Sequence, residues 1–265
     1  MTASELKLSQ DVNPAEIDTA ASNPYHHWQK PEQPPELHQD ELHVWRVQFD
    51  LEVEAPEHLY AVLSPEERER AGFFHFQKDR VRYVSTRGAL RLLLARYLNL
   101  RAEDLRFETN AHGKPYLDGG DVRFNVSHSG QVALLAFARG REVGVDVEFL
   151  RPGLIDAHIA ERYFSPAEVA ALQALPPEQH REAFFNCWTR KEAYIKAVGQ
   201  GLSIPLDSFE VSLEPGKPAA LLVTRPDAQE ARRWSMFALQ LGPGYAGAVV
   251  VQGQDVDLRC WEWTG

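Results

Sequence analysis

Apolar and polar positions alternate along "HVWRVQFDL" from His43 closely enough to predict a strand. "LSPEERERAGFF" follows, with Ser64, Pro65 and Glu67 spaced as a capping box whose proline takes the first helical position. "RYVSTRGALRLLLARYL" repeats Leu, Val and Tyr at helical spacing and predicts a long amphipathic helix. "LRFETNAHGKPYL" reads as a strand running into a loop. "VRFNVSHSGQVALLAFARGREVGVDVEFL" reads as three short strands joined by polar turns at "SHSG" and "RGRE". The programme then recurs. After the strand "VGVDVEFL", "YFSPAEVAALQAL" repeats the cap, proline and glutamate at Ser165, Pro166 and Glu168. A long helix containing Trp188 follows, then "DSFEVSL", "WSMFALQ" and "YAGAVVVQ" as strands. This repetition predicts an α+β fold of two related halves, residues 41–141 and 142–265, with a cleft between them as the natural place for a ligand. Residues 1–40, rich in Pro, Gln, Glu and His without periodicity, are expected to form a flexible arm, and its His26–His27 pair reads as an exposed tail pair.

The bulk composition narrows the class. The longest apolar runs, such as "VALLAFA" from Val132, are too short to cross a bilayer, and the chain starts without the basic-then-apolar order of a signal peptide. Two cysteines, Cys187 and Cys260, build no disulfide framework or zinc cage and are expected to be reduced thiols in the cytoplasm. For the same reason "NVS" at Asn125 is not expected to be glycosylated. The net charge of −10 argues against nucleic acid as a partner, yet it leaves room for a local basic pocket and would attract a divalent cation.

Candidate chemistry starts on the last long helix. Positions 184, 188, 192, 195 and 199 hold Phe, Trp, Glu, Ile and Gly on one stripe. A carboxylate amid such neighbours needs compensation, either from Lys196 and a polar network or from a bound cation. In "GVDVE", Asp146 and Glu148 share one face of a strand, where two carboxylates repel unless a cation intervenes. With Glu192 they would give three oxygen ligands and leave positions for water and phosphate, which suits Mg²⁺. In "FNVSHSG", Ser127, His128, Ser129 and Gly130 read as a polar turn able to hold phosphate, or as a plain hairpin turn. "HGKPY" places Lys114 between Gly113 and Pro115 with its ammonium expected to be free. No G-x-S-x-G elbow, P-loop or H-E-x-x-H is present.

Taken in order, "GKPY", "FNVSHSG", "GVDVE" and "FNCWTRKEAYIKAVGQGL" closely resemble the 4′-phosphopantetheinyl transferases of the long, single-chain Sfp-type branch. The resemblance runs from about His43 to the last strands. It implies two halves in pseudo-twofold arrangement with the active site in the cleft between them. It also implies transfer of the phosphopantetheine arm of coenzyme A to a serine of an apo acyl or peptidyl carrier domain, releasing adenosine 3′,5′-bisphosphate. Carried onto this chain, it makes Asp146, Glu148 and Glu192 the Mg²⁺ ligands and sets Lys196 on the attacked phosphate. Arg70, Lys114, Ser127 and His128 would grip coenzyme A. Either Glu192 or a metal-bound water would be the base. Where some relatives carry two basic residues in the segment matching "SPEERER", this chain has Glu67 and Arg70, which leaves that part of the grip to Arg70. A monomer is expected because both halves lie in one chain. The competing readings are a non-catalytic module that binds coenzyme A or carrier domains, and a Mg²⁺-dependent phosphoesterase acting on coenzyme A.

Overall fold

The computed structural model describes residues 28–33, 35–150 and 157–265; the His26–His27 pair lies outside them. After β1 (Glu41–Gln48) the chain forms α1 (Glu57–Ala61), α2 (Pro65–Gly72) and α3 (Gln77–Leu98). A short hairpin of β2 (Phe107–Thr109) and β3 (Pro115–Leu117) follows, then β4 (Val122–Ser129) and β5 (Val132–Arg139). The same order repeats: β6 (Val143–Phe149), α4 (Ala157–Tyr163), α5 (Pro166–Ala174), α6 (His180–Val198), the hairpin β7 (Phe209–Val211) and β8 (Leu221–Thr224), β9 (Trp234–Ala238) and β10 (Tyr245–Gln252). The first sheet contains β1-β5-β4 and the second β6-β10-β9, so strand order repeats as well. The final strand, β11 (Asp257–Glu262), returns to pair in parallel with β1 and extends the first sheet, although the sequence grouped it with the second half.

The alternation of side chains across each strand builds the layers. In β5, Ala133, Leu135 and Phe137 face Leu90 and Leu94 of α3, while Leu134, Ala136 and Ala138 meet Val145 and Val147 of β6 and Val249 of β10. On the far side, Ala246, Ala248 and Val250 of β10 pack under Ala193, Ile195 and Ala197 of α6. The order is therefore helix, sheet, sheet, helix. Burial on both faces explains why "VALLAFA" is apolar without interruption.

Both proline-led helices open with complete capping boxes, Ser64 with Glu67 and Ser165 with Glu168. Each glutamate also anchors a long helix. Glu67 receives Arg91 Nε at 2.6 Å and pairs with Arg87, and Arg91 Nη1 donates to Ala102 O at 2.6 Å and, more weakly, to Leu105 O at 3.4 Å. Glu168 receives Lys191 Nζ at 2.7 Å, and Lys191 donates to Leu206 O and Phe209 O, both at 2.7 Å. In both halves a buried cation thus ties the capping glutamate to carbonyls three residues apart just beyond the helix. The lysine of "TRKEAY" faces away from Glu192 and holds the fold.

Part of the expected flexible arm is seated on the body. Trp28 Nε1 donates to Gln240 O at 2.6 Å, Gln29 bridges Trp261, and Leu37 is buried.

Because Lys191 is fully buried, Lys191→Met leaves the Glu168 carboxylate buried without its cation and is expected to cost about 3–5 kcal/mol in a urea titration. Adding Glu168→Gln should recover part of that loss; equal stability of Lys191→Met and the wild type would refute the network's role.

Candidate active site

β4 and β6 run side by side, and β4 side chains serve the backbone of β6 along their seam. Asn125 Oδ1, Ser127 Oγ and Ser129 Oγ accept the N–H groups of Val145, Val147 and Phe149 at 2.9, 3.3 and 3.0 Å. The two-residue period on both strands keeps this ladder in register. Asn125 is buried here and used, in keeping with an unglycosylated "NVS". The two serine protons go to the two acids of β6: Ser127 Oγ donates to Asp146 Oδ1 at 2.8 Å and Ser129 Oγ to Glu148 Oε2 at 2.9 Å.

The α6 face completes the cluster. Gly144 lets the helix lie directly on β6, since a Cβ there would fall 2.2 Å from Ala193 O and 2.3 Å from Ala197 N. Lys196 Nζ then reaches Asp146 Oδ1 at 2.6 Å and Ser127 Oγ at 3.2 Å. Lys196 therefore pairs with the strand acid rather than with Glu192 on its own helix. Burial raises the Glu192 carboxyl above its ordinary value; the charges of Asp146 and Glu148 add to this and Lys196 opposes it. Those influences bring Asp146, Glu148, Glu192 and Lys196 into one electrostatic site.

Among the described residues, Lys196 is the one cation whose charge acts on the Glu192 carboxyl, beside the charges of Asp146 and Glu148. Asp146 Oδ2 is buried and has no hydrogen-bond partner among the described residues, a costly arrangement for a carboxylate oxygen unless a ligand meets it. This donor set fits a hard divalent cation. Among the described residues no three His, Cys, Asp or Glu side chains are gathered closely enough to hold a metal ion as they stand, so the three acids would have to draw together around such an ion and leave the rest of its shell to oxygens of water or substrate.

His128 and Ser129 are the last residues of β4, and the turn itself is Gly130–Gln131, with Gly130 at φ +58°. The expected "SHSG" turn is thus mostly strand. The His128 side chain is exposed, while desolvation of its ring, followed by the charge of Arg82, lowers its pKa; Lys196 adds a smaller push the same way. Arg82 is a residue the sequence reading missed. It lies on α3, donates through Nε to Gly130 O at 2.9 Å and pairs with Asp79 at 2.8 Å. Only the hairpin's tertiary position reveals it.

Two of the expected grip residues stand apart, and a third is engaged differently. Arg70 is exposed with its guanidinium 5.4 Å from the Tyr83 ring centre. Lys114 does not have a free ammonium: Nζ donates to Glu142 at 2.8 Å, Ala197 O at 3.1 Å and Val143 O at 3.2 Å. Ser127 spends its one proton on Asp146. Three cavities of about 520, 450 and 750 Å³ flank these elements, none lined by Asp146, Glu148, Glu192 or Lys196. Asp146 is buried in the seam and Glu148 and Glu192 are half-buried beside it, so their chemistry rather than cavity size marks the site.

Comparison with known proteins gives the family. Residues 142–250 match the 4′-phosphopantetheinyl transferase superfamily and residues 53–139 match the 4′-phosphopantetheinyl transferase N-terminal family. The chain is 37% identical over 230 residues to 4′-phosphopantetheinyl transferase HetI of a Nostoc species, covering 84% of this chain and 93% of that one. It is 34% identical to 4′-phosphopantetheinyl transferase Sfp of Bacillus subtilis, covering 77% and 89%. The protein belongs to the 4′-phosphopantetheinyl transferase family.

The raised Glu192 carboxyl has a consequence for stability. The folded chain holds that proton more tightly than the unfolded chain, so the contribution is fully present below the ordinary value of 4.5 and is lost as pH rises through the raised folded value. In EDTA at neutral pH, Glu192→Gln should therefore melt a few degrees above the wild type, with the difference closing on acidification below that ordinary value. A variant melting lower than the wild type at neutral pH would show that Glu192 is not held against its charge.

Proposed function

We propose that this protein transfers the 4′-phosphopantetheine arm of coenzyme A to a serine hydroxyl of an apo acyl or peptidyl carrier domain and releases adenosine 3′,5′-bisphosphate. The observation that carries the reading is Asp146 Oδ2, buried without a hydrogen-bond partner among the described residues, in the seam that also holds Glu192 and Lys196. Family membership supplies the reaction class.

Asp146, Glu148 and Glu192 are the residues that would hold Mg²⁺, which when bound supplies positive charge to the pyrophosphate oxygens. Ser127 and Ser129 orient the two strand acids for that purpose. Lys196, whose ammonium is at the seam on Asp146, Ser127 and Val145 O, would turn to the oxygens of the phosphorus under attack and neutralise their charge, the main demand of phosphoryl transfer. Exposed His128 offers the coenzyme A phosphates a ring N–H and Arg82 beside it the positive charge, while Arg70 would have to reach them from α2. The carrier serine oxygen forms the new bond to phosphorus, the bond from that phosphorus to the departing nucleotide oxygen breaks, and the serine proton goes to Glu192.

The same reading treats residues 41–141 and 142–265 as two halves in pseudo-twofold arrangement, with β11 crossing back. It also takes the enzyme to be a cytoplasmic monomer. Buried, unbridged Cys187 and Cys260 suit a reducing compartment. No helix of the described residues is long and apolar enough to cross a membrane.

Intact-mass spectrometry of an apo carrier incubated with the enzyme and coenzyme A tests the reaction. A gain of one phosphopantetheine with Mg²⁺ and none in EDTA is expected. Coenzyme A binding without mass gain on fatty-acid, polyketide or peptide carriers would favour the non-catalytic module, and phosphopantetheine released without carrier would favour the phosphoesterase. Glu192→Gln should reduce transfer by about 10²–10⁴-fold while retaining the fold by circular dichroism; normal turnover would remove Glu192 from the mechanism.

A further inference from the structure

The loop between β2 and β3 reaches across to the end of α6. Asn110 Oδ1 accepts from His112 N and Lys114 N, both at 2.9 Å, and Asn110 N donates to Lys114 O at 3.0 Å, so the loop is braced before it touches anything else. Asn110 Nδ2 donates to Gly199 O at 2.8 Å. Lys114 Nζ donates to Ala197 O, the residue directly after Lys196, and to Val143 O at the start of β6, with Glu142 balancing its charge.

Each of these bonds answers a need of the helix end. The last carbonyls of a helix lack intrahelical donors, and a cation there also complements the helix dipole. Gly199 caps α6 at φ +79°, and a Cβ at that position would come 3.3 Å from Lys114 Cδ and 3.4 Å from Asn110 Nδ2. The loop therefore lies flush on the cap. No side-chain cap holds the other end of α6. An ammonium has three protons, and Lys114 commits all three to acceptors at the helix end and the start of β6.

We propose that Asn110 and Lys114 are positioning residues: their loop locks the last turn of α6 to the start of β6 and so fixes where Lys196 and Glu192 stand relative to Asp146. This replaces the role in gripping coenzyme A expected for Lys114. It rests on the proposed transferase reaction only for its kinetic consequence.

Lys114→Met and Asn110→Ala test it in the full-length protein. Amide exchange followed by mass spectrometry, without substrates, should show faster exchange in the last turn of α6 for both variants. Calorimetry should give coenzyme A dissociation constants within about twofold of the wild type, while saturated turnover falls by about tenfold, the split of a group acting on geometry rather than on binding. Lys114→Arg, which keeps a cation at the helix end, should recover part of the turnover. Unchanged exchange in both variants would overturn the latch. So would a coenzyme A dissociation constant that rises about tenfold with saturated turnover retained. If Lys114→Met fails to fold, Asn110→Ala carries the test alone, because it removes the Gly199 bond and leaves the Lys114 ammonium in place. A wild type without transfer activity would sink the proposed function, while the exchange experiment would still decide on the latch.

Discussion

The missing side chain of Gly144 is the constraint on which the site depends. At the crossing of α6 over β6 even one methyl group would overlap helix backbone, so helix and strand approach more closely than any other residue permits. That approach lets Lys196 reach Asp146 and places Glu192 within the fields of Asp146 and Glu148. A wider spacing would let water between the layers, relax the Glu192 carboxyl and free Lys196 to act as an ordinary surface cation. The seam is thus a consequence of backbone packing as much as of the charged residues themselves.

The second determinant is the edge between β4 and β6. A strand edge leaves N–H groups without partners, and here the amide and hydroxyl side chains of Asn125, Ser127 and Ser129 take them instead of a neighbouring backbone. The side-chain ladder uses up the serine protons on Asp146 and Glu148. One device therefore closes the joint between the two sheets and aims the acids. It also explains why Ser127, whose surroundings in the sequence suggested a phosphate turn, works within the protein.

Two buried acids of α2 and α5 show why the site stands out. Glu168 is compensated by Lys191 and by the N–H groups of Ser165 and Val211, and Glu67 in the first half has equivalent support from Arg87 and Arg91. Those networks meet the cost of burying charge in full. In the seam, one oxygen of Asp146 has no partner among the described residues and Glu192 is held against its ionised form. The fold satisfies its buried acids in full where it needs strength and less fully where a cation and an anionic substrate can complete them.

The chain's local patterns were enough for the duplicated order of strand, capped helix, long helix and strands, for both capping boxes, and for the acids and lysine on one strand face and one helix stripe. These are properties of two- and 3.6-residue periods and of short-range cap chemistry, which act within a few residues. The strands β8 and β11 escaped notice: β8 is four residues long, and β11 is defined by its parallel partner β1 more than 200 residues earlier. Arg82 likewise has no local signal, because it joins His128 only when α3 packs beneath the β4–β5 turn. Lys114 and Lys191 looked alike in sequence to any candidate phosphate-binding or motif lysine. Only the tertiary structure could decide that one ties down a helix end and the other a capping glutamate, since an ammonium's role is set by the acceptors around it, and these come from residues 83 and 23 positions away as well as from near neighbours.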